Sequence, residues 1–261
     1  SARNWIRSRA RSALLTAVGS RADLSPSIHI LAGHDLGDPA GHDPARFRAL
    51  LEMLSSKAEL IRVEDAVEAV KERRHVDHPM IAFTFDDGYI ECHRHLAPAL
   101  RDAGVNAAFF VNSRYIDATP DYIERFNQVV RSPGRLPMTS DMVRELADEG
   151  FVIGSHTADH SKLDRPDHDL LTDQIVTARA EVESISGRPA PWFAWPYGRY
   201  IDVCDEAMTV ALDTYDTVFS GARYETYTAH GGRVLNRRHF EAYWPSSHVR
   251  YFLRNPRAWE G

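Results

Sequence analysis

Ile81-Ala82-Phe83-Thr84-Phe85-Asp86-Asp87-Gly88-Tyr89 sets five mostly apolar residues directly against two carboxylates and a glycine. The apolar run reads as a short buried strand, and Gly88 permits a sharp turn at its end. Neighbouring strand residues point to opposite faces, so Asp86 and Asp87 can share a site only if the chain turns between them. Asp-Asp-Gly in isolation is most often just a turn.

Runs of the same character recur on both sides. Strands are predicted over residues 27–32, 80–86, 106–112, 151–155, 192–196, 215–220 and 233–240. Helical patterns fall between them over 44–55, 94–103, 140–149, 169–186 and 204–212. Ser140 reads as an N-cap, and Gly104, Gly150 and Gly187 stand where helices should stop. Strand–helix alternation argues for an α/β fold of parallel strands with helices outside. Seven strands suggest a closed or nearly closed barrel, in which active groups gather at the C-terminal strand ends. No linker, repeat or low-complexity tract interrupts the chain, so residues 1–261 read as one domain.

Composition excludes other classes. With 31 basic and 37 acidic residues the formal net charge is -6, leaving no basic field to hold nucleic acid. No apolar run is long enough to span a membrane. Cys92 and Cys204, far apart in sequence, make no disulfide framework and favour a reducing, cytoplasmic compartment. Arg3, Arg7, Arg9 and Arg11 precede the mostly apolar stretch 13–18. This segment reads as a basic helical extension over 1–25: a solvated leading helix, a peripheral membrane contact, or the remnant of an export signal. The chain opens Ser-Ala without Met, which leaves its true start open.

Two further strand ends carry chemistry. The fourth strand runs into Ser155-His156-Thr157-Ala158-Asp159-His160. Histidines at i and i+4 on a helical turn can chelate one divalent ion. Among 13 histidines, however, about one such spacing is expected by chance. Two histidines and one carboxylate leave positions open for water and substrate. The fifth strand reads Pro191-Trp192-Phe193-Ala194-Trp195-Pro196-Tyr197-Gly198, aromatic enough either to pack a core or to wall a sugar groove.

Thr84-Phe85-Asp86-Asp87-Gly88, Ser155 to His160, and Phe193-Ala194-Trp195-Pro196-Tyr197-Gly198 together resemble three successive motifs of the polysaccharide deacetylase family. This is the NodB-homology group, or carbohydrate esterase family 4. The segments Pro98-Ala99-Leu100 and Gly104 to Val111 also resemble its helix and third strand, so the likeness covers roughly residues 80–221. It implies a distorted (β/α)7 barrel and metal-dependent removal of N-acetyl groups from an amino-sugar polysaccharide or oligosaccharide. It further implies Asp86 as general base, with Asp87, His156 and His160 holding a divalent metal, zinc by default. The Tyr197 backbone amide would hold the developing oxyanion. Trp192, Trp195, Tyr197 and Tyr200 are the sugar-contact candidates, and Asp216 falls near the fourth motif.

The chain departs from the pattern at two places. Many members have Arg where this chain has Ala194, and that Arg orients the base; members with Phe-Ala-aromatic-Pro-Tyr-Gly form a branch of their own. The late Leu-x-His motif, source of the general acid, is blurred, and His239 is the best substitute. Arg237 or Arg238 can supply the missing guanidinium, but strand alternation lets only one of them face the interior. His34 follows the first strand and reads equally well as a site residue or a surface one. His75, His78 and the cluster Cys92-His93-Arg94-His95 read as surface or capping groups. Two other readings keep the fold. One is a deacetylase or deformylase of a lipid-linked sugar, and the other is a carbohydrate-binding protein without turnover. Oligomeric state is not legible.

Overall fold

The computed structural model describes residues 2–37, 41 and 43–259, with side chains from residue 11 onward. Seven parallel strand positions make up the barrel: β1 (Ile28–Gly33), β2 (Met80–Phe85), β3 (Ala107–Val111), β4 (Val152–Ser155), β5 (Trp192–Ala194), β6 (Thr217–Ser220), and a seventh split into β7 (Val234–Asn236) and β8 (Arg238–His239). Each pairs with its sequence neighbour in parallel. The split strand closes the sheet. Its first half pairs with β6 through Ser220↔Asn236, and its second half pairs with β1 through Ala32↔His239. Arg237 lies at the break between the halves.

The two strand faces pack differently. Ile30, Ala82, Ala108, Phe110, Ala194, Phe219 and Leu235 join one buried cluster. Leu31, Ile81, Phe83, Phe85 and Phe109 join another, beneath helix residues Phe47, Leu50, Leu54, Leu96 and Leu100. Helix Pro44–Ser55 shows why the pattern folds as it does. Asp43 accepts a hydrogen bond from the Ala45 amide, Pro44 takes the first helical position, and Phe47, Leu50, Leu51 and Leu54 face inward at helical spacing.

Elements differ from expectation where local propensity was not decisive. The helices expected over 94–103 and 169–186 each contain a π-turn segment, Cys92–Leu96 and Thr172–Thr177. The cap of helix Ser140–Asp148 is Thr139, whose hydroxyl accepts from the Met142 amide, and not Ser140. Helices Val63–Lys71, Pro120–Val130 and Ser246–Leu253 add to those read from sequence. The N-terminal residues do form a helix, Ala2–Gly19, which packs along Ser246–Leu253. The side chains of Arg3, Arg7 and Arg9 lie outside the described residues. No helix among the described residues is long and apolar enough to cross a membrane.

Packing between β3, β4 and β5 leaves no spare volume. A methyl group on Gly154 would sit 2.5 Å from Phe110 Cδ1 and 3.0 Å from the Trp192 carbonyl oxygen. Gly154→Ala is therefore expected to destabilise the fold by about 1–3 kcal/mol through overpacking, read as a lowered denaturation midpoint at unchanged slope.

Candidate active site

All seven strands deliver their C-terminal ends to one rim, and the expected polar residues stand on it. β2 ends at Phe85, paired with Gly33 of β1 and Phe109 of β3, so His34 and Asp86 emerge side by side. β4 ends at Ser155, paired with Val111 and Phe193, and His156 follows. The turn after β2 is the one the two aspartates required. Asp87 has φ 75° and Gly88 φ 79°, which swings Asp87 back toward the site that Asp86 already faces. Gly88 is also held close to Val111, 3.2 Å from the position of a would-be Cβ.

The two histidines converge, but not on a helical turn as their spacing suggested. Residues 156–160 form an irregular loop in which Thr157 and His160 take positive φ, 67° and 56°. Side chains hold that loop in place. Asn112 donates to the His156 carbonyl oxygen, and Gln174, set in the π-turn, accepts from the Asp159 amide at 3.0 Å. Arg114 and Tyr122 both donate to the Asp159 carboxylate.

Asp87 Oδ1 stands 3.5 Å from His156 Nε2 and 3.4 Å from His160 Nε2, and all three residues are buried. His156 Nδ1 lies 2.6 Å from the Ala194 carbonyl oxygen. A carbonyl only accepts, so Nδ1 carries the proton and Nε2 keeps a lone pair toward Asp87. Burial depresses both imidazoles, His160 to about 4, and keeps them neutral. His160 is oriented by rings, edge-on to Tyr197 and Phe126 at centroid separations of 4.8 and 6.0 Å.

The donor set fits a metal ion on an observation of its own. Asp87 Oδ1 is buried without a hydrogen-bond donor and faces the Nε2 lone pair of His156 and the Nε2 atom of His160. A desolvated carboxylate oxygen so placed is costly unless a cation sits among the three. Two neutral imidazoles and one carboxylate suit zinc, and the same set serves iron, cobalt or nickel.

Asp86 is bound differently. Its two oxygens accept from Arg237 Nη1 and Nη2, each at 2.8 Å, in a bidentate pair. Arg237 is 1% exposed, and also donates to Thr84 Oγ1 at 2.9 Å and to the Ser220 carbonyl at 3.1 Å. Burial alone would raise the Asp86 pKa; the Arg237 charge outweighs it and holds the group well below the usual carboxylate range. Of the two adjacent arginines, then, Arg237 faces inward. Arg238 lies over the Phe252 and Tyr224 rings on the other side.

A third cluster had only half a signal in the sequence. His34 Nδ1 and His239 Nε2 lie 2.8 and 2.9 Å from the same oxygen of Glu241. Burial opposes a charge on His34, but Glu241, Asp87 and Asp86 together lift its pKa to about 10. Burial likewise works against the Glu241 carboxylate, which His34 and His239 nonetheless hold at about 2. His34, Asp86, His156, Tyr197, Arg237 and His239 line one cavity of about 280 Å³.

The sugar-contact candidates divide. Tyr197 lines that cavity at φ 63°, with its side chain exposed. Trp192 and Trp195, only 8% and 1% exposed, are packed into the core and cannot offer a face to a sugar. Tyr200 is half-buried, bonded to Asn236 at 2.8 Å, and lies outside the cavity lining. Asp216 stands at the opening of β6, the opposite end of the barrel, with its carbonyl bonded to Lys71. His93 and His78 pair with surface carboxylates and take no part.

The sequence profile of the polysaccharide deacetylase family matches residues 73–212, more than half of the chain. The chain belongs to the polysaccharide deacetylase family. Among curated relatives, it is similar to a peptidoglycan-N-acetylglucosamine deacetylase of Bacillus cereus, 25% identical over 47% of this chain and 38% of that one. It is also similar to a chitin deacetylase of Pestalotiopsis sp., 29% identical over 44% of this chain and 33% of that one. The chain thus spans well under half of those relatives. Among solved structures, IcaB from Ammonifex degensii superposes with a TM-score of 0.69 at 18% identity, over 90% of this deacetylase-family chain and 100% of that one. The Streptococcus pyogenes deacetylase PplD, in complex with acetate, gives 0.66 at 18% identity over 88% and 100%. At such identity the likeness establishes the fold, the distorted (β/α)7 barrel of NodB-homology type.

Proposed function

We propose that this chain is a single-domain, metal-dependent hydrolase that removes N-acetyl groups from an amino-sugar-containing glycan. The observation that carries the reading is the buried, donorless Asp87 Oδ1 facing His156 and His160, beside an aspartate that no histidine claims. Asp87, His156 and His160 hold the ion. When bound, such an ion supplies a Lewis acid that polarises a carbonyl oxygen and acidifies water.

Asp86 is the general base. Arg237 occupies one lone pair on each of its oxygens and leaves the others free to accept a proton from the attacking water. Arg237 thereby does for Asp86 what the arginine absent at position 194 does in other family members. Tyr197 lines the cavity beside His160, and its backbone N–H is the donor assigned to the developing oxyanion.

The leaving amine needs a proton. His34 is assigned as its source, because Glu241 both orients the ring through Nδ1 and keeps it charged, leaving Nε2 as the second N–H. His239, half-exposed and tied to the same Glu241 oxygen, completes the group as its orienting partner.

Acetate release from a panel of N-acetylated oligosaccharides, before chelation, after it, and after add-back of zinc or cobalt, tests the reading. Release that is lost and then restored supports it; release unaffected by complete metal removal contradicts it. A pH dependence follows from the Glu241 contact. The charged His34 persists from the ordinary histidine value of 6.5 up to about 10, and its proton is lost above that. Activity in the wild type should therefore hold into the alkaline range. Glu241→Gln should pull the alkaline limb of kcat/KM down by about one to three pH units, measured by a pH–rate profile; an unmoved limb would reassign the proton donor.

A further inference from the structure

The catalytic cavity does not end at His239. Gly221, Arg237 and His239 also wall a second cavity of about 230 Å³, whose other lining residues include Arg11, Arg223, Arg238, Trp244 and Glu225. Arg237 is neutralised by Asp86, and Arg238 feels the Glu225 charge only through space. Among the described residues, Arg11, Arg223 and Arg238 have no ion-pair partner, and Arg238 Nε is buried with no acceptor at all. Among the described residues that line this space, Glu225 is the single carboxylate. Both inner arginines are pre-positioned on rings: Arg223 lies 4.2 Å from the Tyr200 centroid, and Arg238 lies 4.1 Å from that of Phe252. Trp244, half-buried, stands between His239 and Phe252 at centroid separations of 5.2 and 5.6 Å. Three unpaired guanidiniums around one small cavity invite a doubly acceptor-rich anion, since Arg presents planar, paired donors that match phosphate or carboxylate. The neighbouring tryptophan adds an apolar platform for a sugar ring. The arrangement also gives Arg11, and with it the basic N-terminal helix, a place in the site.

We propose that this second cavity binds an anionic substituent of the glycan, a phosphate or carboxylate on the sugar next to the one whose N-acetyl group enters the catalytic cavity. The proposal rests on the deacetylase reading of the adjoining cavity for its register, but binding can be tested without turnover. Titration calorimetry on the metal-loaded protein compares a neutral N-acetylglucosamine oligosaccharide, the same oligosaccharide bearing a phosphate, one bearing a carboxylate, inorganic phosphate alone, and anionic phospholipid vesicles without sugar. The charged oligosaccharides are expected to bind about ten- to a hundredfold more tightly than the neutral one, with the difference shrinking as salt rises. Arg238→Gln should collapse that ratio toward one. Arg223→Gln, on an exposed loop, should lower it as well and guards against a folding defect in the first variant. Inorganic phosphate should compete only with the charged oligosaccharides. Equal affinity for charged and neutral glycans, or a ratio that both variants leave intact, overturns the proposal. Arginine-dependent binding of vesicles equal to that of the charged glycans would also overturn it, in favour of a membrane surface. Failure of acetate release with the affinity ratio intact would instead count against the deacetylase reading alone.

Discussion

Asp86→Asn is expected to lower acetate release by about 10²- to 10⁴-fold, the usual worth of a positioned general base, while the bound-ion stoichiometry stays at its wild-type value. The substitution is close to isosteric. Its amide oxygen still accepts from Arg237, but the amide NH2 replaces the second acceptor and the buried guanidinium loses its counter-charge, so a loss of stability accompanies the loss of the basic oxygen. Asp87, His156 and His160 are untouched and keep their mutual geometry. Kinetics of acetate release, paired with metal analysis of the same preparations, separate the two roles. Activity within a few-fold of wild type would remove Asp86 from the chemistry; parallel loss of ion and activity would make it a ligand.

The second large effect concerns the same carboxylate seen from its partner. Arg237→Met should cost about 3–5 kcal/mol of stability, because it strands a buried charge rather than deleting a pair. Both partners are almost fully enclosed, so solvent cannot take over from the guanidinium. Thr84 Oγ1 and the Ser220 carbonyl lose a donor at the same time. The double variant Arg237→Met/Asp86→Asn should recover a substantial part of that loss, since no charge is left unpaired. Denaturant unfolding of the four-membered cycle measures it. Additive losses would mean that the pair is not coupled.

How far the site was legible depended on whether its signal was local. Asp86-Asp87-Gly88 and the His156–His160 segment each follow a short apolar run, so strand-end position alone drew them together. What spacing could not give was the backbone: the two histidines meet through left-handed residues, a conformation that the i, i+4 pattern does not encode. Aromatic content misled at Trp192 and Trp195, because a residue type says nothing about which side of a three-residue strand meets core. The choice between Arg237 and Arg238 waited on the strand break that turns one inward. His34 and Glu241 are 207 residues apart, and only barrel closure through β1 and β8 makes them neighbours. His34 did carry one usable sign, its place directly after a strand, the same place that marked Asp86. The barrel itself was easier, since strand patterning is a local property repeated seven times over and helix stops are local too.

In the proposed function, Asp87, His156 and His160 hold one ion between them. Metal-stripped protein titrated with zinc in a calorimeter, alongside folded His156→Ala and His160→Ala variants checked by circular dichroism, addresses it most directly. One ion per chain in the wild type and a collapse of affinity in both variants is the expected result. A wild type that takes up no ion, or variants that bind it as the wild type does, would contradict it.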